Sequence, residues 1–534
     1  MKATLWCWWT IVWVDLLVIA FLSAHWVWWL FAGGWCAVAL AVVIVAHRRQ
    51  GRVSEAAGWS LGEALELSNP DNPRLVPQAR IPASTLRYGL LALGAPGAGK
   101  TESVLLGALA SLRGYAPGAG MAVFEGKGDI DIYKKCVAMG RKPDWFFSTE
   151  LEGSHTINLM DGQSEDVLDR LVRLLIGHTV STSYYSDVQR AVLAAVVPLL
   201  KGLGEPVNLR DLYTTLSVPE AGVELLRRAR DAKVDPTVVQ LAEQWFSQKP
   251  AVRKNEIHGL LNKLFVFCHG PHTDRLNAYQ ADIVIDEVVA NNQVIYCHLP
   301  LSHFSKDVAI ALVEMFGVVA RRRQLAGPEN ATVFPLLLDD WGDFFHENFG
   351  AISARCRSAA MPLFFSFQSL AQVKKVSPTF ADELDDNLAT KIILRTQGEE
   401  TSGFAMRLLD EYEAMELSAS SMGSERDNRE GTQLGISRRY RLTRRDLREL
   451  LPGEAFISTL YRTPKRMVNP LWRVRMPLAD IARWREVAMP EARAHQVGQG
   501  LCLWQRYMDP DFLNQFALDD QALHDHRLSQ VVEL

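Results

Sequence analysis

Between residues 88 and 395 short apolar runs alternate with amphipathic stretches. The runs at 88–93, 121–125, 293–299, 333–338 and 391–395 read as buried strands, the last at the far edge of a sheet. A helix-strand pair is expected within 349–366. Stretches 100–112, 130–139 and 305–324 read as helices. Strands and helices that alternate at this length predict a parallel, doubly wound sheet. From about 164 to 267 the texture changes and a helical period dominates. Val167, Leu168, Leu171, Leu174 and Leu175 form an i, i+3, i+4, i+7 stripe. Further helices are expected at 188–203, 221–232, 237–246 and 252–265. This block is too long for a single crossover and reads as an all-α insertion in an α/β domain.

The flanks carry weaker patterns. Residues 50–86 are polar and contain Pro70, Pro73, Pro77 and Pro82, which reads as a linker. Residues 418–432 lack apolar periodicity and read as mobile. A last strand pair is expected at 454–461 and 471–474, and the tail from Pro490 has no strong pattern. The chain thus divides into 1–49, a linker at 50–86, an α/β domain in two parts (87–163 and 271–480), an all-α unit at 164–270 and a tail at 481–534.

The first residues differ in kind. Two apolar runs, 5–22 and 26–46, are separated only by Ser23, Ala24 and His25. Each is long enough to cross a bilayer core of ~30 Å as a helix. They predict a transmembrane hairpin, with tryptophans at both interfaces. Lys2 precedes it and His47, Arg48, Arg49 and Arg52 follow, which places both ends in the cytoplasm. Asp15 lies inside the first run, where a charge faces another helix rather than lipid.

The chain has 534 residues and a formal net charge of −4, so any contact with a polyanion must come from local patches. The 7 cysteines form no C-x-x-C pair, which indicates neither a zinc site nor a disulfide framework.

The chemistry is announced by Gly94-Ala95-Pro96-Gly97-Ala98-Gly99-Lys100-Thr101, a G-x-x-x-x-G-K-T loop between an expected strand and an expected helix. Its glycines let backbone N–H groups wrap phosphate oxygens, and the following helix adds its positive end. Lys100 is placed to reach the β and γ phosphates of ATP, and Thr101 to hold Mg²⁺. A second acid is needed for the metal. The run Phe334-Pro335-Leu336-Leu337-Leu338 ends in Asp339-Asp340, where carboxylates emerge at the carboxyl end of a buried strand. Asp339 is the candidate metal ligand and Asp340 the group that orients the attacking water. The strand ending in Gln368 supplies a candidate γ-phosphate sensor. Arg355 and Arg357 precede it, and an arginine at a subunit boundary can stabilise transition-state charge in a neighbour's site.

In order, these features resemble the type IV secretion coupling proteins, the TraD/TraG group of membrane-anchored DNA-translocating ATPases. The likeness spans roughly residues 5–475 and includes the turn Phe124-Glu125-Gly126-Lys127-Gly128-Asp129 and the run Gln368-Ser369-Leu370-Ala371-Gln372. It implies an α/β, RecA/FtsK-like P-loop NTPase with a mostly parallel sheet, an inserted all-α subdomain and the N-terminal hairpin. It implies a homo-hexamer with ATP between subunits, anchored in a bacterial inner membrane. Lys100, Thr101, Asp339 and Gln368 then match the phosphate, metal and sensor residues, and Arg357 the arginine finger. The expected partners are DNA, single-stranded and bound without regard to sequence, a relaxase or relaxosome, and the secretion channel. The chain departs from the group's pattern in having Glu125 where Asp is usual, Asp340 where Glu is usual, and a very short loop between the two spans.

Basic clusters offer candidate phosphate contacts. They are Arg227, Arg228 and Arg230; Lys249, Arg253 and Lys254; and Arg438, Arg439, Arg441, Arg444, Arg445 and Arg448 around Tyr440. Two other readings stay open: a receptor that chiefly docks protein cargo, and an FtsK/HerA-like DNA translocase.

Overall fold

The computed structural model describes residues 58–508, apart from 69, 71, 178–183, 328–331, 378, 425–426, 463–465, 478–480, 482 and 496–497. The two N-terminal apolar runs lie outside the described residues. Among the described residues, no helix is long and apolar enough to cross a membrane.

The strands, in chain order, are β1 (Gly58–Glu66), β2 (Arg74–Pro82), β3 (Leu90–Leu93), β4 (Met121–Glu125), β5 (Trp145–Ser148), β6 (Val294–His298), β7 (Leu336–Asp339), β8 (Leu363–Phe367), β9 (Thr390–Ile393), β10 (Glu411–Ser424), β11 (Asp427–Tyr440), β12 (Glu454–Thr459), β13 (Tyr461–Arg462), β14 (Met467–Val468) and β15 (Leu471–Arg475). An 11-stranded sheet runs in the order β2-β1-β15-β12-β9-β3-β8-β7-β4-β6-β5. From β9 to β5 every neighbouring pair is parallel. Strands β3, β4, β7 and β8 are buried at every position, as two-sided cover requires.

On the other side of β9 the sheet continues antiparallel through β12, β15, β1 and β2. The run at 391–395 is therefore interior, since β12 pairs with it on the side expected to be open. The supposed linker at 50–86 is corrected in the same way, because β1 and β2 form a hairpin within it. Its prolines fit: Pro77 and Pro82 fall in β2, the edge strand, where a missing N–H costs no ladder bond. Trp59 of β1 is buried against the helix after the P-loop. A Cβ at Gly107 would lie 2.7 Å from its ring. Of residues 418–432, read as mobile, 418–424 and 427–432 are paired in the hairpin β10–β11.

The helical block holds Ser164–Leu175, Tyr184–Gly202, Pro219–Asp231, Pro236–Phe246 and Pro250–Cys268 close to their expected places. It also holds Leu209–Ser217, which the apolar period did not reveal. That helix is marked by a capping box, with Asn208 and Asp211 bonding each other's backbone N–H. The block shares one continuous apolar cluster with one face of the sheet. It is pinned by Glu314 of helix His303–Ala326, whose carboxylate accepts from Arg173 (2.6 Å) and Asn348 (2.7 Å).

The tail does not trail away. Trp484 lies over the Lys135 ammonium at 4.4 Å. Further on, Arg493 N bonds Glu152 O at 3.1 Å and Leu501 N bonds Pro206 O at 3.0 Å. The chain then docks on the helical block, where Leu503 N donates to Asp211 (2.8 Å) and the Tyr507 hydroxyl to Glu224 (2.7 Å). This tail runs from the nucleotide-side helix to the all-α unit as a strap.

Candidate nucleotide site

The G-x-x-x-x-G-K-T loop leaves the carboxyl end of β3. Gly97 and Gly99 adopt φ of +70° and +100°, values that only glycine takes without strain. A side chain at Gly99 would also crowd Gly453, whose N–H donates to Ala98 O at 3.0 Å and braces the loop from behind. The first turn, Lys100–Leu105, is π-helical and continues as the helix Leu106–Tyr115.

Lys100 is 5% exposed and folds back on its own loop. Its Nζ donates to Gly94 O at 2.9 Å and lies 3.5 Å from an Asp340 carboxylate oxygen. Burial pushes its pKa down, Lys127 adds to this, and Asp340 and Asp339 work against it. Such an ammonium gains by meeting further negative charge, which phosphate oxygens carry.

The Asp339 carboxylate is 2% exposed and meets the loop directly. The Thr101 hydroxyl donates to it at 2.9 Å, and the Ser366 hydroxyl from the neighbouring β8 at 3.0 Å. Ser366 also accepts the Asp340 N–H at 2.9 Å, so one serine registers both acids. Asp340 takes a left-handed backbone (φ 50°, ψ 44°), which Asp tolerates better than most residues. Its Oδ1 is buried without a hydrogen-bond partner. Hard oxygens from Thr101, Asp339 and Asp340 suit Mg²⁺ better than a softer metal. Thr101 and Asp339 would hold it, and its charge would neutralise phosphate oxygens.

Lys127 completes the cluster, and motif reading gave it no role. Its Nζ contacts Thr101 Oγ1 at 2.6 Å, Asp339 Oδ2 at 2.8 Å and Asp340 Oδ2 at 3.4 Å. Burial works against this ammonium, but the two carboxylates outweigh it and raise its pKa. The turn that carries it is tied by Glu125, which is fully buried and accepts the N–H of Lys127 (2.6 Å) and Gly128 (3.1 Å). Burial and the neighbouring Asp129 push the Glu125 carboxyl up to about 8. Ser366 was equally unforeseen. Its signal was a lone small polar residue in Phe364-Phe365-Ser366-Phe367.

Gln368 lines the same cleft, a cavity of about 270 Å³ whose wall includes Lys100, Thr101, Lys127, Lys135 and Asp340. The Gln368 backbone N–H donates to the Gln372 side chain at 2.9 Å, and Gln372 in turn donates to Asp343 at 3.1 Å. Beyond that pair lies a larger cavity of about 610 Å³. The smaller one is the candidate site, because the phosphate loop and the paired acids open into it. Arg357 is not brought to this cleft. It stacks over Tyr88, 5.8 Å from the ring, before the start of β3, whereas the P-loop leaves the other end of that strand.

No protein-family model matches the chain. It is 22% identical over 460 residues to the type 4 coupling protein DotL of Legionella pneumophila, an alignment covering 72% of this chain. The chain spans 58% of the length of that relative. Among solved structures, the bacterial conjugative coupling protein TrwBΔN70, unbound, matches with TM-score 0.54 at 15% identity, over 76% of this chain and 88% of that one. TrwB with ADP and Mg²⁺ matches with TM-score 0.52 at 14% identity, over 77% and 89%. TrwB with the non-hydrolysable ATP analogue ADPNP matches with TM-score 0.52 at 14% identity, over 76% and 88%. The helical insertion, the phosphate loop facing paired acids and the similarity to DotL agree: the chain has the fold of the conjugative coupling protein TrwB and is similar in sequence to a type 4 coupling protein.

Proposed function

We propose that this protein is a membrane-anchored, ATP-driven motor that brings DNA, with its relaxase, to a type IV secretion channel and pumps it during conjugation. The carrying observation is the convergence of Lys100, Thr101, Asp339 and Asp340 at the carboxyl ends of β3 and β7, parallel strands on either side of β8. Lys100 binds and orients phosphate, Thr101 and Asp339 hold the metal ion, and Asp340 positions the attacking water. Gln368 lies where it can sense the γ-phosphate. Arg357, at the far end of β3, serves a neighbouring subunit of a hexamer. The apolar hairpin at 5–46 would anchor the ring in the inner membrane.

A second reading is favoured by the charges. Arg227 pairs with Asp231, Arg228 with Glu205 and Glu224, and Arg230 with Glu243. Arg253 is 8% exposed and lies against Phe246. Arg441, Arg444 and Arg445 also face acids. Cationic groups already neutralised release few counterions on meeting DNA. This supports a receptor that docks protein cargo, with the same ATPase behind it. ATP hydrolysis by the full chain in detergent, with and without single-stranded DNA, separates the two. Stimulation that rises cooperatively with protein concentration is expected for the DNA motor. Flat activity favours the cargo receptor. Lys100→Ala should abolish hydrolysis in either case, and a Lys100→Ala variant that still turns over ATP would overturn both.

A further inference from the structure

The Lys127 ammonium stands where the candidate metal ligands converge. It touches Thr101 from the phosphate loop, Asp339 from the end of β7, and Asp340 just beyond it. Mg²⁺ binds oxygen at about 2.0–2.1 Å. An ion at that distance from Thr101 and Asp339 would lie within van der Waals range of an ammonium that contacts the same atoms at 2.6 and 2.8 Å. Two cations cannot share those oxygens, because their repulsion in a half-buried cleft is only weakly screened.

The turn is built to let one part stay while another moves. Glu125 holds the backbone N–H of Lys127 and Gly128. The Lys127 side chain is 35% exposed, on a flexible four-carbon stem beside the cleft. Asp339, at 2% exposed, needs a counter-charge at all times.

We propose that Lys127 is a built-in competitor for the metal position: it neutralises Asp339 and Asp340 itself and suppresses binding of a divalent cation that arrives without nucleotide. The inference rests on reading the cleft as a nucleotide site. Only a ligand that carries its own negative charge compensates the ammonium for leaving the two carboxylates. The site then selects a metal that comes with phosphate over the free ion.

The probe is Mn²⁺ alone, titrated into the full chain in detergent and followed by its electron paramagnetic resonance signal, with no nucleotide present. Wild type should bind it weakly. Lys127→Met should bind it at least tenfold more tightly, and Lys127→Arg should stay near wild type. Lys127→Gln, which keeps a hydrogen-bond donor for Thr101 and Asp339 while losing the charge, should match Lys127→Met and guards against misfolding of the latter. Adding Asp339→Asn should remove the gain. Unchanged or weaker Mn²⁺ binding in folded Lys127→Met or Lys127→Gln overturns the proposal. A fluorescent ATP analogue with Mg²⁺ separates the two levels. If wild type binds none, the nucleotide reading fails; if it binds normally while Mn²⁺ ignores Lys127, only this inference fails.

Discussion

Asp340 shows how much a single backbone choice decides. Its left-handed φ of 50° turns the chain just past β7 and sets its carboxylate within 3.5 Å of both Lys100 and Lys127. An acid so placed can steer water without itself being the main metal ligand. Asp340→Asn keeps the shape and loses the base. Hydrolysis is therefore expected to fall roughly hundredfold or more while nucleotide affinity holds, since positioned general bases contribute about that much. Single-turnover rates measured beside a binding titration would check it, and a parallel loss of affinity would place Asp340 with the binding groups.

At the level of elements, the parallel core was legible because buried strands such as Leu90–Leu93 and Leu336–Asp339 are short apolar runs with turn residues on either side. The phosphate loop and the paired acids were legible because backbone geometry fixes their spacing. The β1–β2 hairpin was hidden because its prolines read as linker, and only its partner β15, about 400 residues away, makes it part of the sheet. Lys127 was hidden for a related reason: its partners lie on a distant strand. If β1 is structural, Trp59→Ala should cost about 3–5 kcal/mol by urea unfolding, the range for a buried large aromatic, whereas a linker tryptophan would cost almost nothing. Glu314 offers an element-level pH test. Burial raises its pKa, but His346, Asn348 and Arg173 outweigh it and hold it at about 2, below the ordinary glutamate value of 4.5. A depressed acid stabilises the fold above its unfolded pKa, and that contribution, roughly 3 kcal/mol, fades as pH falls from about 4.5 to 2. Glu314→Gln should be less stable at pH 7 and lose less than wild type between those limits in melting curves.

On the scale of the whole molecule, Arg357 and the cleft sit at opposite ends of β3, so the proposed finger cannot serve its own subunit. Arg357→Ala should bind nucleotide and fail to hydrolyse it. Mixed with Lys100→Ala subunits, it should regain part of the activity, because some interfaces then join an intact loop to an intact arginine; mixtures as inactive as either parent would argue against a shared site. The strap has a mechanical consequence. The chain enters the helical unit after β5 and leaves it before β6, and two such crossings alone would leave a hinge axis about which the unit could swing. The strap from Trp484 to Tyr507 adds to the apolar contact and the Arg173–Glu314 pair that already join the unit to the sheet away from that axis. It would act as a tie rod, linking a displacement of the helical unit to Lys135 at the wall of the cleft.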